Sequence, residues 1–301
     1  MARRATAVAL VCLLAAGPAR PSAITVGAEG AVTASGLSCA RTAGAAPGRR
    51  EPRPPGPGEV SEVLSDLADQ RGGAPAPSRI TVPTWVHVLT DGTKSVPDAS
   101  VRAQIAILNA AYGGKHGGVD TGVRFRLDGI TPVANTQWFA DPLAHESIMK
   151  TRLRRGDART LNLYIGQLSE LVLGFSTYPF WYSGSPRLDG VVIDWRTLPG
   201  GTLRDFDRGF TGVHEIGHWL GLFHTFENGC EEPGDGVADT PPQGSPTEAC
   251  PVGKDTCPRG GLDPVHNFMD YSHDRCMSEF TQGQAERMHE MWAAYRMKTA
   301  V

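Results

Sequence analysis

The 301-residue sequence has no apolar run that could cross a bilayer as a helix, which takes about 20 residues. It has no internal repeat, which excludes solenoid and propeller architectures. It has no Gly-x-Ser-x-Gly motif, which excludes the nucleophile elbow of a serine hydrolase. The formal net charge is only −3, so charge gives no reason to expect binding to nucleic acid or to an anionic membrane surface.

Aromatic residues are absent from residues 24–78, where Ala, Gly, Pro and Arg dominate and cannot build a core. Before this stretch, residues 1–23 contain paired arginines, a short apolar run and small residues, which together predict a secretory signal peptide. We therefore expect a secreted, extracellular protein with no membrane attachment after signal removal. Residues 24–78 are interpreted as a propeptide or a disordered linker. Within them, Glu59–Gln70 has the apolar spacing of a short amphipathic helix.

The pattern changes at residue 79, where regular hydrophobic periodicity begins. It predicts strands at 80–89, 122–127, 161–165 and 190–193, and helices at 97–112 and 146–153. A further helix begins near Phe210, and a last one begins at Thr281, which forms a capping box with Gln284. The long stretch 227–275 shows no clear periodicity. This order predicts an α+β fold within one catalytic domain, residues 79–301.

The sequence HEIGHWLGLFH carries the chemistry. His214 and His218 are four residues apart, so they project from one face of a helix. Glu215 lies about 100° around the helix axis, where it can reach a metal-bound water but cannot easily bind the same ion. Gly221 can end the helix in a left-handed turn that brings His224 back as a third ligand. Three protein ligands leave one position open, as in a catalytic zinc site.

The alternative for this segment is a set of core histidines satisfied by local hydrogen bonds. Five specified positions make a chance match improbable, and HEIGHWLGLFH resembles the zinc-binding motif of the metzincin metallopeptidases. Together with GDGVADTPPQ, DTCP and NFMDYSHDRCMSEF, it is similar to the pappalysin family, especially its compact microbial secreted members. The resemblance is densest over 209–288 and extends weakly back to residue 79.

This resemblance implies a twisted, mainly parallel sheet with helices above it. It also implies an irregular, disulfide-linked lower subdomain with a Met-turn and a C-terminal helix. It implies a secreted zinc endopeptidase in which Glu215 is the general base and Tyr271 steadies the oxyanion, with Met269 beneath the metal. The ligands it implies for Zn²⁺ are His214, His218 and His224. The alternative is a secreted, zinc-stabilised binding or scaffold protein without catalysis, which the retained Glu215 disfavours.

Four cysteines in the last third of the chain predict two disulfides, and spacing alone leaves three connectivities open. The family pattern implies the pairs Cys230–Cys257 and Cys250–Cys276. Cys39 is then left over, and in the family a propeptide cysteine can keep a zymogen latent by occupying the open zinc position. Here Ala40 follows Cys39 in place of the family's usual glycine, so the alternative of an unpaired or intermolecular cysteine stays open.

The loop sequence GDGVADT places oxygen ligands close together, and a similar region binds calcium in compact relatives. This pattern predicts Asp235, Asp239 and Thr240 as possible Ca²⁺ ligands. The alternative is an acidic turn without a metal.

Asp274 lies five residues after Met269, in the segment that walls the substrate pocket of metzincins. A carboxylate there predicts a preference for Arg or Lys after the scissile bond, which would make Ser78–Arg79 a self-cleavage site. The expected partners are protein or peptide substrates, with no nucleic acid, and the expected state is a monomer.

Overall fold

A computed structural model describes residues 50–56, 58–70 and 76–297, all of which belong to one of the two units of the chain, residues 45–301. The predicted signal peptide and Cys39 lie outside the described residues. Helix α1, Glu59–Gln70, has the predicted bounds and carries two acidic residues in its first turn, which suits the helix dipole. None of the helices in these ranges is long and apolar enough to span a bilayer.

Within these residues one sheet has the order β2-β1-β3-β5-β4. Its strands are β1 Ile80–Thr90, β2 Val123–Ala134, β3 Leu161–Gly166, β4 Gly174–Ser176 and β5 Val191–Asp194. The first four in spatial order pair in parallel, and β4 is an antiparallel edge strand. Every residue of β3 and β5 is buried, as expected for parallel strands covered on both faces. The mainly parallel sheet of the predicted fold is confirmed.

Five α-helices follow α1 in the described residues. They are α2 Asp98–Ala111, α3 Thr136–Ala140, α4 Glu146–Leu153, α5 Phe210–Trp219 and α6 Gln282–Met291, the last continuing as a π-helical turn, Trp292–Arg296. The predicted capping box at the start of α6 is present, because Thr281 and Gln284 exchange side-chain and backbone hydrogen bonds. The hydroxyl of Tyr112 donates to the carbonyl of Val213 at 2.9 Å, which fixes the end of α2 against α5.

The stretch between α5 and α6 is irregular, as predicted. Two disulfides cross it, Cys230–Cys257 and Cys250–Cys276, in the pairing that the family resemblance implied. Each closes a loop of more than 25 residues in a segment with little regular structure, and such a crosslink stabilises a fold by about 2–4 kcal/mol.

Helix α1 packs against the main domain through its apolar face. Val60, Val63 and Leu67 are each at most 4% exposed. They join a hydrophobic cluster with residues from distant parts of the chain, namely Tyr178, Phe223, Met291 and Ala294, with Phe180, Trp181 and Tyr295 at its edge. We call this group the α1 cluster. The predicted amphipathic helix is therefore present and packs against the residues of this cluster.

Candidate active site

Helix α5 carries the first two histidines of the motif on one buried face. His214 and His218 are fully buried, and their Nε2 atoms lie 3.1 Å apart. This is the one-turn spacing that the sequence predicted. A buried pair of imidazole nitrogens facing each other needs a proton or a metal ion between them, because each nitrogen otherwise presents a lone pair to the other.

The turn after α5 brings in the third histidine. Gly221 has a φ of +100°, and the N–H of Leu222 returns to the carbonyl of Gly217 at 3.0 Å. A Cβ added to Gly221 would lie 2.3 Å from Cγ of Met291, so close packing as well as the left-handed φ requires glycine here. The reversal places Nε2 of His224 3.2 Å from Nε2 of His218.

Each imidazole is oriented by a contact to its other nitrogen. Nδ1 of His214 donates to the carbonyl of Phe268 at 2.7 Å, and Nδ1 of His218 donates to the carbonyl of Leu222 at 2.7 Å. Nδ1 of His224 lies 3.6 Å from the carboxylate of Glu227. A carbonyl can only accept, so Nδ1 of His214 and Nδ1 of His218 carry the hydrogen, and the Nε2 lone pairs of these two histidines point inward. Outer contacts of this kind are the usual support of metal-binding histidines.

The arrangement fits zinc. Two Zn–N bonds of about 2.0–2.1 Å at a tetrahedral angle place the nitrogens about 3.3 Å apart. The two Nε2–Nε2 distances here, 3.1 and 3.2 Å, are close to that value. The three histidines also belong to a group of side chains in the described part of the chain whose ligand atoms all lie within 4.8 Å of one another.

Glu215 follows His214 on α5 and is fully buried. Its side chain lies directly against the backbone of the edge strand β4, since a Cβ added to Gly174 would be 2.5 Å from its Cγ and 2.6 Å from Oε1. The carboxylate is therefore held between the zinc helix and the sheet edge.

The Met-turn lies beneath the histidines. Met269 is fully buried, and its carbonyl accepts from the N–H of Thr225, the residue after the third histidine. The ring of Tyr271 lies 5.0 Å from that of His224 and 5.6 Å from that of His214, between centroids. The structure thus brings Tyr271 to the same cluster that the sequence predicted for it.

The cluster has a fourth member, Glu51, which no motif in the sequence indicates. Its Oε1 lies 2.8 Å from Nε2 of His214 and 3.0 Å from Nε2 of His224, and its Oε2 lies 3.3 Å from Nε2 of His218. The hydroxyl of Tyr271 donates to the same Oε1 at 3.3 Å. The only signal in the sequence is one acidic residue among arginines and prolines, REPRPP, shortly before α1.

Glu51 and His224 shift one another's pKa values toward the charged forms. Burial raises the pKa of Glu51, but attraction to His218 and His224 and hydrogen bonding to the histidines outweigh it, so the pKa lies well below its usual value. Burial lowers the pKa of His224, but Glu51 and Glu227 raise it to about 9. The cluster thus stabilises positive charge at its centre, which a divalent cation supplies.

The possible calcium ligands are brought only partly together. Asp235 is buried, and both of its carboxylate oxygens accept from the hydroxyl of Thr240 at 2.7 and 2.8 Å. Burial raises the pKa of Asp235 to about 7. The carboxylate of Asp239 instead accepts from the hydroxyl of Thr281 at 2.7 Å and the N–H of Gly283 at 2.9 Å. Asp239 therefore stabilises the start of α6.

Asp274 is 2% exposed and lies shortly after the Met-turn. One of its carboxylate oxygens accepts from the N–H of Arg208 at 2.8 Å, and its own N–H donates to the carbonyl of Asp205 at 2.9 Å. These bonds connect it to the loop that leads into α5.

Comparison with known proteins agrees with this geometry. A family model described as pregnancy-associated plasma protein-A matches residues 173–293. An extracellular metalloprotease of Pyricularia oryzae is 42% identical over 226 residues, which is 73% of this chain and 77% of that protein. Extracellular metalloprotease 1 of Coccidioides posadasii is 39% identical over 263 residues, covering 85% of this chain and 90% of the relative.

Two solved structures from Tannerella forsythia share the fold. Mature mirolysin in complex with a cleaved peptide is 28% identical with a TM-score of 0.63, covering 73% of this chain and 97% of mirolysin. A promirolysin variant is 25% identical with a TM-score of 0.67, covering 81% of this chain and 95% of the variant. A histidine cluster that fits zinc, a Met-turn beneath it and relatives that cover most of this sequence lead to one conclusion: the chain belongs to the pappalysin family of metzincins and is a zinc metalloendopeptidase.

Proposed function

We propose that this chain is a secreted zinc endopeptidase, made as a latent precursor, that cleaves protein or peptide substrates and prefers Arg or Lys after the scissile bond. The observation that carries the proposal is the convergence of three buried imidazole nitrogens. Beside them lie the buried carboxylate of Glu215 and the hydroxyl of Tyr271.

Each residue of the site has a separate role in the proposed reaction. We assign His214, His218 and His224 to hold the zinc, which when bound polarises the scissile carbonyl and acidifies a water. Glu215 takes the proton of the attacking water and passes it to the leaving amine. The hydroxyl of Tyr271 donates a hydrogen bond to the oxygen of the scissile carbonyl as negative charge develops there.

Secretion and latency are supported by separate observations. Residues 1–23 have the composition of a signal peptide, and the fungal relatives are named extracellular metalloproteases. The match to promirolysin covers a larger share of this chain than the match to the mature enzyme, 81% against 73%. This larger coverage supports our proposal that residues upstream of β1 form a pro-segment. Ser78 and Arg79, both exposed, are its proposed cleavage site.

The side-chain preference rests on Asp274. A carboxylate in a buried setting discriminates strongly between a cationic and a neutral partner, because its charge is poorly screened there. We expect wild-type enzyme to cut before Arg and Lys, and Asp274→Asn to lower the ratio of Arg or Lys cuts to Leu cuts. Cleavage sites that are mainly apolar in both proteins would contradict this assignment.

Calcium binding remains a proposal for the loop that contains Asp235 and Thr240. A buried carboxylate bonded to a threonine hydroxyl gains from a bound cation. A calcium ion at a hundredfold excess over its Kd would stabilise the fold by about 2.7 kcal/mol. Thermal unfolding with calcium or with EGTA measures this, and Asp235→Asn should abolish the difference. Equal melting temperatures of the wild type in both buffers would exclude the site.

The function is tested by incubating the processed, zinc-loaded enzyme with a peptide library and identifying the cut bonds by mass spectrometry. Glu215→Gln keeps the shape of the side chain but removes its basicity, so we expect a loss of about 10²–10⁴-fold in cleavage rate. Glu286→Gln, at an exposed position on α6, is the matched control and should keep full activity. Zinc bound stoichiometrically by a wild type that cuts no peptide would favour the scaffold alternative.

A further inference from the structure

The segment 50–56 lies in the active site with one acidic side chain at its centre. The side chain of Glu51 is 6% exposed and contacts Nε2 of all three zinc-binding histidines. It also accepts from the hydroxyl of Tyr271. Glu51 therefore occupies the place where the reaction mechanism requires the attacking water and the scissile carbonyl oxygen.

Two contacts fasten this segment on the upstream side of α1. The N–H of Arg50 donates to the carbonyl of Leu171 at 2.9 Å, just before the edge strand β4. The guanidinium of Arg53 pairs with Glu146 on α4, a carboxylate that is 3% exposed and also pairs with Lys150 at 2.8 Å. An ion pair with one buried partner is costly to break, since it leaves a charge without its full compensation.

Helix α1 anchors the segment on the other side. The indole N–H of Trp181 donates to the carboxylate of Glu59 at 2.5 Å, and the N–H of Glu59 donates to the carbonyl of Gly56 at 3.0 Å. The apolar face of the helix is buried in the α1 cluster. Docking of α1 thus presents Glu51 to the histidines as a tethered ligand, at an effective concentration on the order of millimolar for a short link.

We propose that Glu51 is the fourth protein ligand of the zinc in the latent enzyme and that segment 50–56 is an inhibitor built into the chain. Carboxylate oxygen is a regular zinc ligand. The inference rests on the proposed function of the three histidines. It assigns the fourth metal position to Glu51 rather than to Cys39. Cleavage at Ser78–Arg79 would convert the tethered ligand into a separate peptide, so the effective concentration is lost and the inhibitor dissociates.

The test uses the full secreted chain with Glu215→Ala, which prevents self-cleavage, loaded with Co²⁺ in place of zinc. The visible spectrum reports the ligands, and titration with acetohydroxamic acid reports access to the metal. We expect Glu51→Ala and Glu51→Gln to change the spectrum and to tighten hydroxamate binding at least tenfold. Glu62→Ala, an exposed position on α1, is the matched control and should change neither quantity. Glu51→Gln keeps the side-chain volume should the alanine variant fold poorly.

Cys39→Ala separates the two possible ligands. We expect it to leave the cobalt spectrum and the hydroxamate affinity unchanged. A sulfur-to-cobalt charge-transfer band that disappears in Cys39→Ala and persists in Glu51→Ala would assign the fourth position to the cysteine and overturn the inference. Hydroxamate affinity that is equal with and without Glu51 would overturn it as well.

A second arm keeps Glu215 and measures peptide hydrolysis by the unprocessed chain. We expect Glu51→Gln to raise the initial rate at least tenfold over the unprocessed wild type. If the processed wild type cleaves peptides while Glu51→Gln stays as latent as the wild type, the inference fails and the proposed function stands. If no processed protein cleaves peptides, the proposed function fails, whereas the cobalt spectrum still decides which residue binds the metal.

Discussion

The contact between Gly174 and Glu215 gives the most direct test of how the proposed general base is positioned. In Gly174→Ala the new Cβ would lie 2.5 Å from Cγ of Glu215. Ordinary van der Waals contact begins at 3.4 Å, so the carboxylate has to move by about 1 Å, the difference between the two distances. The three heavy atoms nearest to this Cβ all belong to Glu215, so we expect the metal content to stay at one per chain.

The expected effect is catalytic rather than structural. A misplacement of about 1 Å in a reacting group can lower the rate by about 10²-fold. Crowding a packed site costs about 1–3 kcal/mol of stability. We expect kcat/KM of the processed enzyme to fall by about two orders of magnitude in a peptide hydrolysis assay. Gly184→Ala is the matched control, because its nearest heavy atom would be 3.8 Å away and its site is exposed.

A double-mutant cycle sharpens the conclusion. In a Glu215→Gln background the proposed general base is already lost, so adding Gly174→Ala should lower kcat/KM by only a small further factor. Full activity of Gly174→Ala would refute the reasoning, since the carboxylate would then tolerate displacement from its observed place. Equal losses with and without Glu215 would show that Gly174 acts through a group other than the carboxylate of Glu215.

Three further predictions concern the surroundings of the site. Leu67→Ala removes a buried side chain of α1 and should weaken the packing of this helix by about 2–5 kcal/mol. Because α1 holds Glu51 at the histidines, the unprocessed variant should hydrolyse peptide faster than the unprocessed wild type. An unchanged rate would show that α1 does not maintain latency. Tyr178→Phe removes a hydroxyl that lies 2.9 Å from Nδ1 of His218 and should weaken zinc binding about tenfold. Chelator competition measures the zinc affinity, and an unaltered affinity would contradict this prediction. Burial lowers the pKa of His87 to about 4 from 6.5, so the unfolded chain binds the proton first and the free energy of unfolding should fall by about 3 kcal/mol as pH drops from 6.5 to 4. Chemical denaturation across that range should show a flatter profile for His87→Gln, and the same slope in both proteins would exclude His87 as the cause.

The parts of the fold that could be predicted from sequence are those with strong local patterns. The bounds of α1 and α4, the start of α6 and the zinc helix followed from periodicity and caps. The edge strand β4 was missed because three residues cannot show alternation. The strand β2 extends seven residues beyond its prediction, to Ala134, since it pairs along the full length of β1 around a register shift after Thr84. Its second half is partly exposed and shows little periodicity.

The residues of the candidate site also fall into those that a local pattern predicts and one that it does not. The histidines, Glu215 and Gly221 lie within eleven consecutive residues, so one helix and the turn that follows it bring them together. Glu51 lies more than 160 residues before its nearest partner in the sequence, His214. Its position depends on tertiary contacts such as the Arg53–Glu146 pair, which no local pattern in a proline- and arginine-rich stretch can indicate.

Met291 takes part in two contacts that govern opposite properties of the enzyme. It is packed closely against Gly221, at the turn that presents the third histidine, and it lies in the α1 cluster beneath α1. During synthesis α1 emerges early, yet its docking surface is finished only when the last helix has been made. The turn at Gly221, which presents His224 to the metal site, also packs against Met291 and therefore lacks this contact until the same helix has been made. We therefore expect a nascent or partly folded chain to have neither activity nor inhibition, so that no stage of folding exposes an assembled and unguarded protease.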